Sequence, residues 1–301
     1  MAYELDKRLV IGVSSRALFD MSMENDIFER QGVEAYCKYQ VAHENEPLKP
    51  GPGFSLIRSL LAINELPGQE GRVEVIIMSR NSADTSLRVF NSIGHYNLNI
   101  TRAALVSGAQ LAQYLNAFKT DLFLSAYEDD VLEAIRSGVA AGIIYSDGVH
   151  QYETDNKRGS ELIRIAFDGD AVLFSDESEQ IYQKEGLEAF EENERENAKD
   201  PLKQGPFAKL LKTISDLQKE FPPDEVPIRT ALVTARSAPA HERVIRTLRA
   251  WNVRIDEAFF LGGVSKRDVL EAFGAQIFFD DQAVHTERAS EVVPSARVPV
   301  G

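Results

Sequence analysis

Two acidic pairs in this sequence share a setting. Asp168-Gly169-Asp170 follows the apolar run Ile165-Ala166-Phe167, and Asp280-Asp281 follows Phe278-Phe279. Between them along the chain, Thr234 follows Leu232-Val233, and Lys266 opens a segment with helical spacing. Carboxylates, a hydroxyl and an ammonium thus stand where buried-type strands end or a helix begins. In open parallel sheets ligands bind at the carboxyl ends of the strands, so these groups are candidates to meet around one polar ligand. Singly each is a weak signal, because DxD recurs by chance and a carboxylate after a strand often only caps the next helix. Their order and shared placement give the set its weight. The five histidines, His43, His95, His150, His241 and His285, lack metal-ligand spacing, which argues against a zinc site. Cys37 has no motif around it that would make it a nucleophile.

The elements that must position these groups alternate between strand and helix. Ile163 to Phe167, Ala231 to Val233, Ala258 to Leu261 and Gln276 to Phe279 read as strands. Phe207 to Glu220, His241 to Trp251 and Lys266 to Phe273 read as helices, the first with apolar spacing at Phe207, Leu210, Leu211, Ile214 and Leu217. Strand, helix, strand with short turns predicts an α/β fold with a parallel sheet covered on both faces. Ser175 to Asp200 reads as an acidic, mostly helical insertion after the first of these strands: a small cap over the site, or only a solvated hairpin. The charge run Glu191 to Glu196 reads as a solvated face, and the polar stretch Gly148 to Ser160 as a linker.

The chain also matches itself. At an offset of 154, Ile11 to Pro52 falls on Ile165 to Pro206 without a gap, with eleven identities in 42 positions that include the shared PLKxGP. Chance pairing gives roughly one identity in twenty. At an offset of 155, Arg88 meets Arg243, Asn97 meets Asn252 and Gly108 meets Gly263. The expected architecture is two tandem Rossmann-like parallel-sheet domains from an internal duplication, at residues 1–150 and 160–301, with the cap insertion near 175–200 in the second.

Composition bounds the partners. A chain of 301 residues with 44% apolar content can bury two cores. A net charge of −14 argues against a nucleic-acid polymer as ligand, while a small phosphorylated ligand needs only one cationic pocket. Cys37 is the only cysteine, so no intrachain disulfide forms and a reducing compartment is expected. The apolar run in MAYELDKRLVIGV is too short for a signal peptide, and no stretch reaches the length of a membrane span, so a soluble cytoplasmic protein is expected. Oligomeric state stays open.

The DxD, Thr, Lys and paired acids resemble the haloacid dehalogenase superfamily. In the resemblance, phosphoryl transfer to a carboxylate needs the charges of nucleophile and phosphate neutralised together, which Mg²⁺ does through oxygen ligands. The resemblance implies Asp168 as nucleophile, Asp170 as general acid and then base, and Thr234, Ala235, Arg236 and Lys266 around the phosphate. It implies Asp168, Asp170 (by its backbone carbonyl), Asp280 and Asp281 as metal ligands. For Arg236 a second reading stands beside the phosphate clamp: pairing with an acid. VSSRALF (Val13 to Phe19), HENEP (His43 to Pro47), FNSIGHYNL (Phe90 to Leu98), RIAFDGDAVLFSDESE (Arg164 to Glu179), LVTARSA (Leu232 to Ala238) and IFFDDQ (Ile277 to Gln282) are similar to the cytosolic 5′-nucleotidase I family. That resemblance implies hydrolysis of nucleoside 5′-monophosphates such as AMP and deoxynucleotides. The alternatives are a phosphatase for another small phosphate ester and a non-catalytic nucleotide sensor.

At the same offsets the first copy carries Ser14 over Asp168, Arg16 over Asp170, Ser79 over Thr234, Leu111 over Lys266, and Ser125-Ala126 over Asp280-Asp281. Every charged group of the reaction is gone, so this half should bind no magnesium. Ser14, Arg16 and Ser79 form a candidate second ligand site, for the phosphate of a nucleotide regulator or of the substrate. The competing reading pairs Arg16 with a local acid and makes it purely structural.

Overall fold

The computed structural model describes residues 4–145 and 162–300, so the expected linker from Gly148 to Ser160 lies outside the described residues. The chain divides into two compact units, Met1–Asp155 and Asn156–Gly301.

The first unit runs β1 (Leu9–Val13), α1 (Ser15–Leu18), β2 (Phe19–Asp20), α2 (Ser22–Ala42), β3 (Lys49–Pro50), α3 (Phe54–Ala62), β4 (Val73–Ser79), α4 (Leu87–His95), β5 (Arg102–Leu105), α5 (Ala112–Ala117), β6 (Leu122–Ser125), α6 (Glu128–Arg136) and β7 (Ala140–Ile144). Its main strands pair in parallel in the order β7-β6-β1-β4-β5. All five residues of β1, LVIGV, are buried, as the continuous apolar run of a central parallel strand requires.

The second unit runs β8 (Ile163–Phe167), α7 (Glu177–Glu185), α8 (Leu187–Glu196), α9 (Ala208–Gln218), β9 (Ile228–Thr234), α10 (His241–Ala250), β10 (Glu257–Phe260), α11 (Lys266–Phe273), β11 (Ile277–Asp280), α12 (Ala283–Ser290) and β12 (Ser295–Arg297). Its strands pair in parallel in the order β12-β11-β8-β9-β10. Taken in chain order within each unit, the two arrangements are the same. Each has a buried apolar core on its sheet, around Phe123, Met78 and Leu115 in the first and Phe278, Val233 and Leu270 in the second. The expected α/β class with parallel sheets is what forms. Among the described residues no helix is long and apolar enough to cross a membrane.

Two glycine positions explain part of the sequence match between the halves. A Cβ on Gly51 would lie 2.7 Å from the Phe19 carbonyl carbon, and one on Gly205 would lie 2.3 Å from the Phe174 oxygen. The PLKxGP turn is thus pressed against the chain leaving the first strand, where only glycine fits. Gly32 has φ 82° and ψ 178° and Gly186 φ 88° and ψ −176°, a region open essentially to glycine alone. Gly32 bends α2 into two pieces, as Gly186 separates α7 from α8. The helical hairpin expected only in the second half therefore has a counterpart of the same shape in the first.

The gapless match hides one local difference. Gly53 N bonds Ala17 O at 2.9 Å, whereas Phe207 N bonds Val172 O at 3.0 Å. Ala17 thus corresponds to Val172, and the identity of Ala17 with Ala171 is not a structural equivalence. The extra residue is taken up in a wide turn at Gly169–Leu173, with Ala171 at φ 61°. That turn directly follows Asp168.

Candidate active site

Asp168 directly follows β8, its amide bonded to Phe279 O of β11 at 2.8 Å. Thr234 is the last residue of β9 and Asp280 the last of β11. The parallel pairing of β8 with both neighbours brings these ends together. Lys266, at the first turn of α11, reaches between them: its Nζ lies 2.8 Å from Asp168 Oδ1 and 2.5 Å from Asp280 Oδ2. Asp168, Asp280 and Asp281 each offer one carboxylate oxygen to a group whose members lie within 4.8 Å of one another. Thr234 faces the Asp-Gly-Asp turn, since a Cβ on Gly169 would meet its Oγ1 at 3.3 Å. The Thr234 hydroxyl also accepts the Arg236 amide at 3.2 Å. Ala235, between them, is exposed.

Asp170 does not join the three carboxylates through its side chain. Arg236 grips it in a fork, Nε donating to Oδ2 at 2.8 Å and Nη2 to Oδ1 at 2.6 Å. Of the two readings of Arg236, the structure shows the pairing with an acid. The third guanidinium nitrogen, Nη1, donates to Glu194 Oε2. Glu194 also accepts from Arg243 Nη1 at 2.9 Å and from Ser178 Oγ at 2.8 Å. Glu194 is fully buried, so at this one position the run 191–196, read as a solvated face, turns inward, while Glu192, Arg195 and Glu196 are exposed. Phe190 and Glu194, four residues apart, share the inward face of α8, and Phe190 lies under the Arg236 guanidinium, with 5.3 Å from Cζ to the ring centre.

The electrostatics follow from three buried acids set around one ammonium. Burial, with the charge of Asp280 adding to it and Lys266 opposing it, pushes the Asp168 carboxyl up to about 8. Burial and the neighbouring Asp280 push Asp281 up to about 7. Burial works on Asp280 too, but the hydrogen bond from His285 Nδ1, at 3.3 Å, and the Lys266 ammonium hold it below its ordinary value. Lys266 is disfavoured as a cation by burial, and the carboxylates of Asp168 and Asp280 more than offset this and raise it. Negative charge on Asp168 and Asp281 is thus disfavoured by burial and by Asp280, and a cation set among them would relieve this. Three gathered carboxylate oxygens with a single ammonium among them fit a hard divalent ion, which prefers oxygen donors.

Glu194, Arg243, Ser178 and His285 were not picked out by sequence reasoning. A signal existed for one of them: Arg243 matches Arg88 at the 155 offset, and Arg88 makes the corresponding buried contacts in the first unit, to Glu24 Oε1 at 2.6 Å and Gln40 Oε1 at 3.4 Å.

At the corresponding strand ends of the first unit, hydroxyls replace the acids. Ser14 N bonds Leu124 O at 2.9 Å, as Asp168 N bonds Phe279 O. Ser79 Oγ accepts Asn81 N at 3.2 Å, as Thr234 accepts Arg236 N. Ser14 Oγ accepts Ala17 N at 3.2 Å, and Ser15, not Ser14, meets Ser79, with 3.2 Å between their oxygens. Arg16 lies over the Tyr127 ring, 5.1 Å from its centre, and Leu111 is buried in the apolar core.

A solved structure that the chain resembles is that of a Listeria monocytogenes protein assigned as a UDP-N-acetylglucosamine 2-epimerase. It has 9% identity and a TM-score of 0.24, covering 98% of this chain and 79% of that one, a likeness too slight to carry an argument. Human cytosolic 5′-nucleotidase 1B is 38% identical over 294 residues, covering 94% of this chain. The match takes in 47% of that protein, so the chain spans about half the length of this curated relative. The family model described as 5′-nucleotidase matches residues 1–301, and the chain belongs to the 5′-nucleotidase family.

Proposed function

We propose that this chain hydrolyses nucleoside 5′-monophosphates, AMP and deoxynucleotides among them, to nucleoside and inorganic phosphate. The observation that carries the reading is the buried group of Asp168, Asp280, Asp281 and Lys266 at adjacent strand ends, in a chain of the 5′-nucleotidase family. Asp168, Asp280 and Asp281, with the Asp170 backbone carbonyl, would hold Mg²⁺. When bound, the ion supplies the positive charge that lets an anionic nucleophile approach an anionic phosphate.

The chain's own groups then divide the work. An Asp168 oxygen attacks phosphorus, and the bond from phosphorus to the ribose 5′ oxygen breaks, its electron pair staying with that oxygen. The Asp170 carboxyl gives that oxygen its proton, so nucleoside leaves and an aspartyl phosphate remains. Asp170, now a carboxylate, takes a proton from water as the water oxygen attacks phosphorus. The bond to Asp168 breaks, which restores both acids and frees phosphate. The Thr234 hydroxyl and the Lys266 ammonium hold the phosphate oxygens, and the Ala235 amide lies on the same loop. Arg236 serves Asp170 in this scheme instead of clamping phosphate.

The helical hairpin α7–α8 acts as a small cap on a haloacid dehalogenase-type catalytic domain at residues 160–301. The shared strand order and the corresponding hydrogen bonds support an origin of residues 1–150 by internal duplication. A cytoplasmic location fits the name of the human relative. One panel tests the function: phosphate release with Mg²⁺ from nucleoside monophosphates and from sugar phosphates. Release from nucleotides is expected; release from sugar phosphates alone would replace the reading with a phosphatase of other specificity.

A further inference from the structure

Asp170 is joined to the hairpin by an unbroken chain of charged contacts inside the second unit. Arg236 holds both Asp170 oxygens, at 2.8 and 2.6 Å, and turns its remaining nitrogen to Glu194 of α8. Glu194 in turn is held by Arg243 and Ser178. The side chains of Arg236 and Glu194 are 2% and 0% exposed, so neither reaches solvent for a substitute partner.

The first unit shows what such a hairpin needs for folding alone. There one buried arginine, Arg88, meets one carboxylate, Glu24, with Gln40 at the position of Glu194. The position of Arg236 is taken by Asn81, whose amide makes the same bond to the strand-end hydroxyl. That unit has no acid corresponding to Asp170. The arginine occurs only in the unit that carries the acid, and its fork is spent on that acid.

We infer that Arg236 and Glu194 are positioning residues for Asp170: Glu194, from the hairpin, fixes the guanidinium fork that sets the orientation of the Asp170 carboxyl toward the leaving oxygen. This rests on the function proposed above. A carboxyl held by two parallel N–H bonds keeps one orientation, and its outer lone pairs remain open for proton transfer. Loosening the fork should therefore harm those steps in which Asp170 moves a proton and spare the attack by Asp168. The hairpin would thus act on chemistry as well as on access to the site.

The test compares Glu194→Gln with wild type on AMP and on p-nitrophenyl phosphate, with Mg²⁺ present. A ribose oxygen leaves only if protonated, whereas p-nitrophenolate leaves without a proton. For AMP, kcat should fall by about 10- to 100-fold, a part of the roughly 10²- to 10⁴-fold that general acid catalysis contributes, with KM little changed. For p-nitrophenyl phosphate, the first turnover should stay near the wild-type rate. Its steady state should be slow, because the second step needs Asp170 as base, so a burst of one p-nitrophenolate per site appears. Arg236→Lys, which keeps the charge and loses the fork, should show the same split, and it serves as the test if Glu194→Gln does not fold. Equal loss of first-turnover rate on both substrates, or no loss on either, would overturn the inference while leaving the proposed function standing. Wild-type protein inert toward every nucleoside monophosphate would overturn both.

Discussion

Replacing Lys266 by Met removes the ammonium from between Asp168 and Asp280 and leaves a side chain of similar length. Lys266 is 6% exposed and Asp280 fully buried, so water cannot stand in for the lost charge. Breaking a buried ion pair by removing one partner costs about 3–5 kcal/mol. Here the loss is limited by proton uptake, since a carboxyl at about 8 is already protonated in half the molecules at that pH. Each unit by which pH falls below a raised pKa favours the neutral carboxyl over the charged form by a further ~1.4 kcal/mol. Without metal we expect a loss of about 2–4 kcal/mol near pH 8 and a smaller one at pH 6. The sign follows from the raised carboxyl: its stabilisation is complete below the unfolded value of 3.8 and is lost as pH rises through about 8. Lys266 is raised instead, so its own contribution is constant below the ordinary lysine range. For a domain of this size a loss of 1 kcal/mol lowers Tm by about 2–4 °C, so a shift of about 5–15 °C is expected. Mg²⁺ should narrow the gap, because a cation among the three carboxylates neutralises what lysine had neutralised. Calorimetry at pH 6 and 8, with and without Mg²⁺, reads all of this, and phosphate release should fall by about 100-fold or more. A variant melting within 1 °C of wild type without metal, and turning over AMP normally, would refute the reasoning.

Asp168→Asn should abolish phosphate release from AMP and leave the melting temperature at or above that of wild type at pH 8, since a neutral amide replaces a buried acid. Mg²⁺ binding should release protons between about pH 6 and 8, because Asp168 and Asp281, raised to about 8 and 7, must lose theirs; titration calorimetry in buffers of different ionisation enthalpy detects this. Chelation should silence turnover reversibly, and phosphate release that survives it would remove the metal from the account. Arg16→Met separates the two readings of the first unit: a nucleotide site predicts an altered nucleotide response at unchanged Tm, and a structural role predicts the reverse.

Strand ends were legible from the order of the polar groups and their shared placement after apolar runs, since each residue type taken singly recurs elsewhere. β8 and α11 fall where periodicity predicts, and Asp168, Thr234, Lys266 and Asp280 follow from them. β9 begins earlier than its apolar core suggests, at Ile228 and not Ala231, because Arg229 and Thr230 look like loop. In the fold Thr230 is satisfied by Asp256, its amide bonding Oδ2 at 2.8 Å, and Arg229 pairs with Glu257 at 3.1 Å. Such partners are remote in sequence, and no local pattern announces them. Glu194 was hidden in the same way: within a run of charges, only the fold shows that two arginines face it. The extra residue after Asp168 was concealed by a chance alanine identity that made a gapless match look complete.

In the proposed reaction Asp168 carries the phosphoryl group. Mixing the protein with Mg²⁺ and AMP labelled in its phosphate, quenching in acid within one turnover and mapping the labelled peptide tests it most directly. An acid-stable, hydroxylamine-labile label on Asp168, formed faster than phosphate is released, is the expected result. Turnover that proceeds with no labelled protein, or with the label on another residue, would contradict it.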